Sequence, residues 1–252
     1  MIPEIEIGPL TLQTFGLCFA AAFIVSGAIV GVRLKELGKP VDWAYEMAFA
    51  ALVGGIIGAR AHWLLENWDE ASEDVLGNIF SGSGLVWFGG LIGGTLGVII
   101  WARWRGYLNL GLLDLAAPAL AAGYAVGRIG CQLSGDGDYG VAWDGPWAMA
   151  YPDGTVPTTE EVHPTPVYET LTMTGVAFVL WRLRNRLTGG LLFALYLLLA
   201  GLERFLVEFI RRNEDVALGL TQAQLFSVAM VIAGAVWLAV GLRRPPAEPA
   251  AV

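Results

Sequence analysis

An arginine inside a long apolar segment is expensive, so where one stands it marks either a site or an internal ion pair. Two such residues stand out in this chain: Arg128, in G-R-I-G (Gly127–Gly130), and Arg204, in E-R-F-L-V-E-F-I-R-R (Glu203–Arg212). A guanidinium is a permanently charged planar fork that matches phosphate with two hydrogen bonds. Two of them, carried by different segments to one depth, would clamp a phosphate group. The alternative is that each arginine only neutralises a carboxylate. Glu208 lies four residues after Arg204 and shares its helix face, Arg211 or Arg212 can pair with Glu208 likewise, and Glu203 and Asp136 are further candidate partners. Three other stretches combine polar and glycine residues at the ends of apolar runs: the acidic turn S-G-D-G-D-Y-G (Ser134–Gly140), V-H-P-T-P-V-Y-E (Val162–Glu169) and W-F-G-G-L-I-G-G (Trp87–Gly94).

The elements that must carry these residues follow from composition. Of 252 residues, 56% are hydrophobic and only 15% charged, against about 25% charged in a soluble domain. Mean hydropathy is +0.59. These values exclude a disordered chain, a nucleic-acid binder and an ordinary cytosolic enzyme, and they point to an all-α integral membrane protein. Two cysteines, Cys18 and Cys131, are too few for a disulfide framework. Crossing about 30 Å of hydrocarbon takes roughly 20 apolar residues. Seven transmembrane helices are expected, at Leu12–Val32, Trp43–Leu65, Leu85–Ala102, Leu112–Cys131, Tyr168–Trp181, Leu191–Ile210 and Gln222–Leu242.

Orientation follows from the basic residues. Arg33, Lys35 and Lys39, then Arg103 and Arg105, then Arg182, Arg184 and Arg186, then Arg243 and Arg244 all follow odd-numbered segments, which places the N-terminus outside and the C-terminus in the cytoplasm. Glu66, Asp69, Glu70, Glu73 and Asp74 in one loop, and Asp144, Asp153, Glu160 and Glu161 in another, fall on the opposite side. The net charge of −8 is thus divided by side of the membrane. No basic n-region marks a signal peptide. The chain reads as one transmembrane domain, 1–252. A small extracytoplasmic cap, 132–167, lies between the fourth and fifth helices, with Trp143, Trp147 and Tyr151 available to bury, and 243–252 forms a short cytoplasmic tail. Gly54, Gly55 and Gly58 in the second segment, and Gly89, Gly90, Gly93, Gly94 and Gly97 in the third, have the spacing of close helix packing in lipid, or leave room for lipid chains.

In order and spacing, G-R-I-G, H-P-T-P-V-Y-E and R-F-L-V-E-F resemble the signatures of the prolipoprotein diacylglyceryl transferases of the bacterial inner membrane, over about Phe15 to Arg212. The resemblance implies seven membrane helices in the orientation derived above. It also implies transfer of the diacylglyceryl unit of phosphatidylglycerol to the lipobox cysteine of a prolipoprotein, releasing glycerol-1-phosphate. Membrane lipid and lipobox peptides would be the partners, with no nucleic acid, metal or cofactor. By match, Arg128 and Arg204 fall on the family's two arginines, and Glu208, Tyr168, Glu169, Asp114, Gly135 and Asp136 on further matching positions, with Gly89 and Gly90 as the Gly-Gly of the third segment. This chain is a divergent branch: Phe88 stands where the family has His before that Gly-Gly, Phe15 where it has Tyr, Cys131 where it has Asn after G-R-I-G, and L-S-G-D, with one extra residue before Tyr139, where it has I-N-G-E.

In such a reaction the nucleophile belongs to the substrate, and a thiol of pKa about 8.5 is only partly thiolate at neutral pH. The leaving phosphate needs charge neutralisation more than a proton, which two guanidiniums supply. With Phe88 unable to act as a base, His163, Glu169 and Glu208 are the candidates, although a loop-anchoring hydrogen bond is the plainer reading of His163. A non-catalytic lipid- or lipoprotein-binding paralogue and a transporter of a phospholipid-like substrate stay open as other readings. The transporter would need Asp114 and Glu46 on a polar path.

Overall fold

The computed structural model describes residues 1–72 and 86–243. Glu73, Asp74, Leu85, Arg244 and the rest of the tail lie outside the described residues. In chain order the elements are β1 (Glu4–Ile7), β2 (Leu10–Gln13), α1 (Thr14–Glu36), α2 (Trp43–Glu66), α3 (Trp68–Ala71), α4 (Trp87–Trp104), α5 (Leu110–Ser134), β3 (Met149–Tyr151), β4 (Thr158–Val162), α6 (Thr165–Leu183), α7 (Leu191–Glu208), β5 (Asp215–Ala217), β6 (Leu220–Thr221) and α8 (Gln222–Leu242). Each of the seven expected segments coincides with a helix of 18 residues or more. Four of these, α1, α2, α5 and α8, are long and apolar enough to cross a membrane by length and composition alone. Basic residues occupy the last turns of α1, α4 and α6, and Arg243 caps α8.

The strands were not anticipated. Among the described residues they form three antiparallel hairpins, β1–β2, β3–β4 and β5–β6, at helix ends. Leu12 and Gln13 pair with Ile5 and Glu4, so α1 begins at Thr14 rather than at Leu12. The β5–β6 hairpin turns through Leu218 and Gly219, both at positive φ, and delivers Thr221 as the N-cap of α8. There Thr221 and Gln224 form a reciprocal capping box.

The chain divides into two compact units. One comprises Val30–Leu112, and the other Met1–Ile29 with Leu113–Val252. In the first, α2 and α4 meet backbone to backbone. A Cβ added at Gly93 would stand 2.1 Å from the Gly54 carbonyl oxygen, and one at Gly58 would stand 2.2 Å from that of Gly89. In lipid no hydrophobic force drives helices together, so the surface that lets backbones approach decides which faces pack. Gly90 is different: its Cβ would meet only the Ala59 methyl at 3.6 Å and the Gly55 oxygen at 3.7 Å. Gly93→Ala therefore lowers stability by about 1–3 kcal/mol through overpacking, whereas Gly90→Ala leaves it within about 0.5 kcal/mol. Thermal unfolding of the two variants in detergent checks this, and equal melting temperatures would refute it.

In the other unit, α5, α6 and α7 share a core of Ala117, Ala121, Ala125, Met173, Val176, Leu180, Leu192 and Ala200. The small residues of α5 admit the larger side chains of α6. On α7 and α8 a similar close approach sets Gly234 against the Ala194 carbonyl. Asp114, at the start of α5, caps α7 from across the core: its Oδ2 accepts from Gly190 N at 2.8 Å and its Oδ1 from Phe193 N at 3.2 Å. Gly190, at φ 91°, has no side chain to do this. A carboxylate at a helix N-terminus also complements the helix dipole. Asp114→Ala is expected to cost about 1–2 kcal/mol, and Asp114→Asn less, because one acceptor survives; chemical denaturation of both variants in detergent reads the difference.

The segment between α5 and α6 folds on the β3–β4 hairpin, with Tyr139, Tyr151 and Val162 as its core and Met1 packed against them. Tyr151 buries as expected, and the loss of solvent pushes its phenol up to about 12. Trp147 does not bury and is 60% exposed. Its indole N–H instead donates to Tyr168 Oη at 2.8 Å, with Trp143 tilted against its ring.

Candidate active site

Arg128 sits near the end of α5, Glu169 one turn into α6, and Arg204 and Glu208 in the last turns of α7. These three helix ends bring the four side chains together. Arg128 Nε lies 3.0 Å from Glu169 Oε2, and Arg204 Nη1 3.4 Å from Glu169 Oε1. Arg204 also pairs with Glu208 at 2.7 Å, as the i, i+4 spacing implied. The two arginines from different helices thus converge on one carboxylate, and Glu169 is fully buried at that point.

Three further residues complete the cluster and were not singled out from the sequence as site residues. Tyr124, one turn before Arg128, donates to Glu169 Oε1 at 2.7 Å and accepts from Arg128 Nε at 3.2 Å. Arg211, just past α7, lies 3.5 Å from Glu169 and 3.8 Å from Glu208. Asp138 bridges Arg128 and Arg211, one oxygen on each guanidinium. Asp136, matched earlier to the family's acidic position, instead accepts the Asp138 backbone N–H at 3.2 Å and so shapes the turn. The arginine-binding carboxylate of this turn is Asp138, two places after Asp136. Gly135 (φ 60°) and Gly137 (φ 92°) supply the left-handed backbone the turn requires. A Cβ at Gly135 would also strike Gly154 at 2.7 Å.

Electrostatically the cluster sets three guanidiniums, Arg128, Arg204 and Arg211, against three carboxylates, Asp138, Glu169 and Glu208. Burial pushes the Asp138 carboxyl up, but the Arg128 and Arg211 charges outweigh it and hold its pKa below the ordinary value, so it is ionised. Glu208 is fixed further by Thr221 Oγ1 (2.7 Å) and Asn213 Nδ2 (2.6 Å). Cys131 Sγ lies 3.5 Å from Arg128 Nη1 and 3.6 Å from Asp138 Oδ2. Cys131, Asp136 and Asp138 offer ligand atoms within 4.8 Å of one another, but Asp138 has both oxygens engaged by arginine.

His163 stacks on Trp143 at 4.4 Å between ring centres, and its Nδ1 is 3.3 Å from Tyr168 Oη. Its backbone pairs with Gly140 and Val141, so it anchors the segment between α5 and α6, and partial burial lowers its pKa. Arg212 donates to the Gly140 carbonyl and lies over the Tyr139 ring, holding the same segment. Gly89 and Gly90 belong to the other compact unit, where Gly89 serves helix contact. Asp114 is 14 residues before Arg128 on α5, about 21 Å along the helix. Glu46 accepts from Trp101 Nε1 at 2.8 Å and pairs with Arg105. Both acids on which a transport path would depend are therefore engaged locally.

Four helices long and apolar enough to cross a membrane, and a buried cluster of arginines and carboxylates at the ends of α5, α6 and α7, define a helical membrane protein with a charged centre. The family model for prolipoprotein diacylglyceryl transferases matches residues 4–240. The chain is 35% identical over 237 residues to the phosphatidylglycerol–prolipoprotein diacylglyceryl transferase of Dehalococcoides mccartyi, covering 90% of this chain and 88% of the relative. It is 33% identical over 258 residues to the enzyme of that name from Chromohalobacter salexigens, covering 98% and 94%. To that from Clostridium tetani it is 28% identical over 235 residues, covering 91% and 93%. The chain belongs to the prolipoprotein diacylglyceryl transferase family, and it is a bacterial membrane protein.

Proposed function

We propose that this protein transfers the diacylglyceryl group of phosphatidylglycerol to the lipobox cysteine thiol of prolipoproteins, releasing glycerol-1-phosphate, as the first step of bacterial lipoprotein maturation. The observation that carries this is the convergence of Arg128, Arg204 and Arg211 on shared carboxylates at the ends of α5, α6 and α7. The substrate sulfur attacks as thiolate, its proton having gone to water, at the glycerol carbon that bears the phosphate; the C–S bond forms as the C–O bond breaks, and glycerol-1-phosphate leaves with the bonding pair and one more negative charge. Guanidiniums already oriented in a low-dielectric site stabilise that charge without reorganising. Arg128 and Arg204 bind the phosphate, Arg211 completes the site beside Arg128, and Glu169 and Glu208 hold the guanidiniums in register. Gly135, Asp136 and Tyr168 shape the adjacent surface where lipid headgroup and peptide meet, beneath the cap that His163 anchors.

The seven helices cross the inner membrane with the N-terminus outside and the C-terminus in the cytoplasm, and the cap lies on the outer face. This reading is supported by the basic residues at the ends of α1, α4, α6 and α8. It puts the arginine cluster at the outer boundary, where secreted prolipoproteins emerge.

The test is direct. Purified protein is incubated with phosphatidylglycerol labelled in its acyl chains and a lipobox peptide. Labelled peptide and stoichiometric glycerol-1-phosphate are expected, together with rescue of a host depleted of its own transferase. A well-folded preparation that yields neither product would refute the proposal.

A further inference from the structure

Of the three carboxylates in the cluster, two are sealed and one is not. The side chains of Glu169 and Glu208 are 0% exposed, on helices, and are held by further partners on Tyr124, Thr221 and Asn213. The Asp138 side chain is 33% exposed, on a glycine-rich turn, and its bonds to the site are those to arginine and the Cys131 thiol. The turn itself is fixed without the carboxylate: Thr165 Oγ1 donates to the Asp138 carbonyl, and Asp138 N donates to Asp136. The side chain can therefore leave by rotating about its own bonds while the backbone stays in place.

Its manner of binding is also informative. Asp138 puts one oxygen on Arg128 and the other on Arg211. A phosphodiester presents the same pattern, two equivalent oxygens on one atom carrying one negative charge in total. Adding such an anion to a cluster of three positive and three negative groups would leave it with excess negative charge in a low-dielectric setting. Exchanging it for the Asp138 carboxylate keeps the balance and returns that carboxylate to water, on the side where it is already exposed.

We propose that Asp138 is the resting counter-ion of the phosphate site, and that a phosphate ester binds by displacing its carboxylate from Arg128 and Arg211. This rests on the transferase reading for the identity of the ester, but not for the exchange itself. Asp138 thereby keeps the arginines paired between turnovers, sets the affinity for headgroup and product alike, and competes with glycerol-1-phosphate for the site after each transfer.

The experiment measures binding separately from reaction. Full-length protein in detergent is titrated calorimetrically with glycerol-1-phosphate and, in parallel, with inorganic phosphate. Transfer kinetics are recorded with vesicles of defined phosphatidylglycerol content in phosphatidylcholine. Asp138→Asn is expected to tighten glycerol-1-phosphate binding about tenfold and to lower KM for phosphatidylglycerol without raising kcat. Asp138→Ser is expected to do the same. Asp144→Asn, which removes an equal charge from the exposed cap surface, changes affinity less than about twofold, as a screened surface charge should. Unchanged or weaker binding in the Asp138 variants overturns the proposal. So does failure of both variants to fold, because a displaceable counter-ion is one the fold can release. If the wild-type protein binds glycerol-1-phosphate with the expected Asp138 dependence but transfers nothing, the transferase reading fails while the exchange stands.

Discussion

Arg128→Ala and Arg204→Ala each lower the rate of diacylglyceryl transfer by about 10³-fold, an effect on kcat far more than on KM. The phosphate carries one negative charge as part of the lipid and gains another as it leaves. A donor aimed at that charge therefore contributes more in the transition state than in the bound lipid. Arg128 approaches from α5 and Arg204 from α7, and both are oriented by Glu169 before substrate arrives. Lysine retains the charge but not the fork, so it cannot hold a carboxylate and a phosphate at once. Arg128→Lys and Arg204→Lys are accordingly expected to recover only part of the loss. Arg212→Ala removes a nearby arginine bound to the Gly140 carbonyl and not to the cluster, and it should cost less than about tenfold. Rates are compared per folded molecule, with melting curves for each variant. Transfer by the two alanine variants within tenfold of wild type would eliminate the clamp.

Much of this site was legible in the sequence, for reasons that also explain what was not. Arg128, Arg204 and Glu208 declared themselves because a charge in apolar sequence is rare and because i, i+4 spacing has one meaning on a helix. The helices themselves followed from hydropathy, which needs no tertiary information. Asp138 was not legible. Two aspartates two residues apart in a glycine turn are equivalent on paper, and only the backbone angles at Gly135 and Gly137 decide that Asp138 turns back to Arg128 while Asp136 binds the turn. Arg211 is legible in part: spacing pairs it with Glu208, three residues earlier, but its bonds to Asp138 and Glu169 depend on the path of the chain after α7. The three hairpins are too short for alternation to register. The glycine pattern of α2 and α4 pointed to close packing, but not to which glycines touch: Gly93 meets backbone, and Gly90 meets a methyl. Phe88 cannot act as a base, and Asp138, with both carboxylate oxygens on arginine, serves the cluster as a counter-ion that no motif match indicates.

The largest effect on stability is expected at Glu169. Its carboxylate is fully buried and faces Arg128, Arg204 and Arg211, and it accepts from Tyr124. Building such a cluster gains little over an apolar core, but removing one partner leaves buried charge uncompensated, at about 3–5 kcal/mol. Glu169→Ala therefore lowers the melting temperature by roughly 10 °C, given the slope of melting temperature with stability for a chain of this size. Glu169→Gln keeps the shape and one acceptor oxygen for Tyr124 but loses the charge, and it should cost about 2 kcal/mol. A double-mutant cycle identifies the cause. Arg211→Leu is destabilising in the wild-type background because it strips a partner from Asp138 and Glu169. In the Glu169→Gln background part of that partner is already gone, so the same change costs at least about 1 kcal/mol less. Additive effects would mean that Glu169 fills space without joining the arginines. The coupling expected here instead makes one side chain on α6 the common anchor for α5, α7 and the segment after α7, so the same contact that holds the helix ends together also orients the guanidiniums proposed to bind the leaving phosphate.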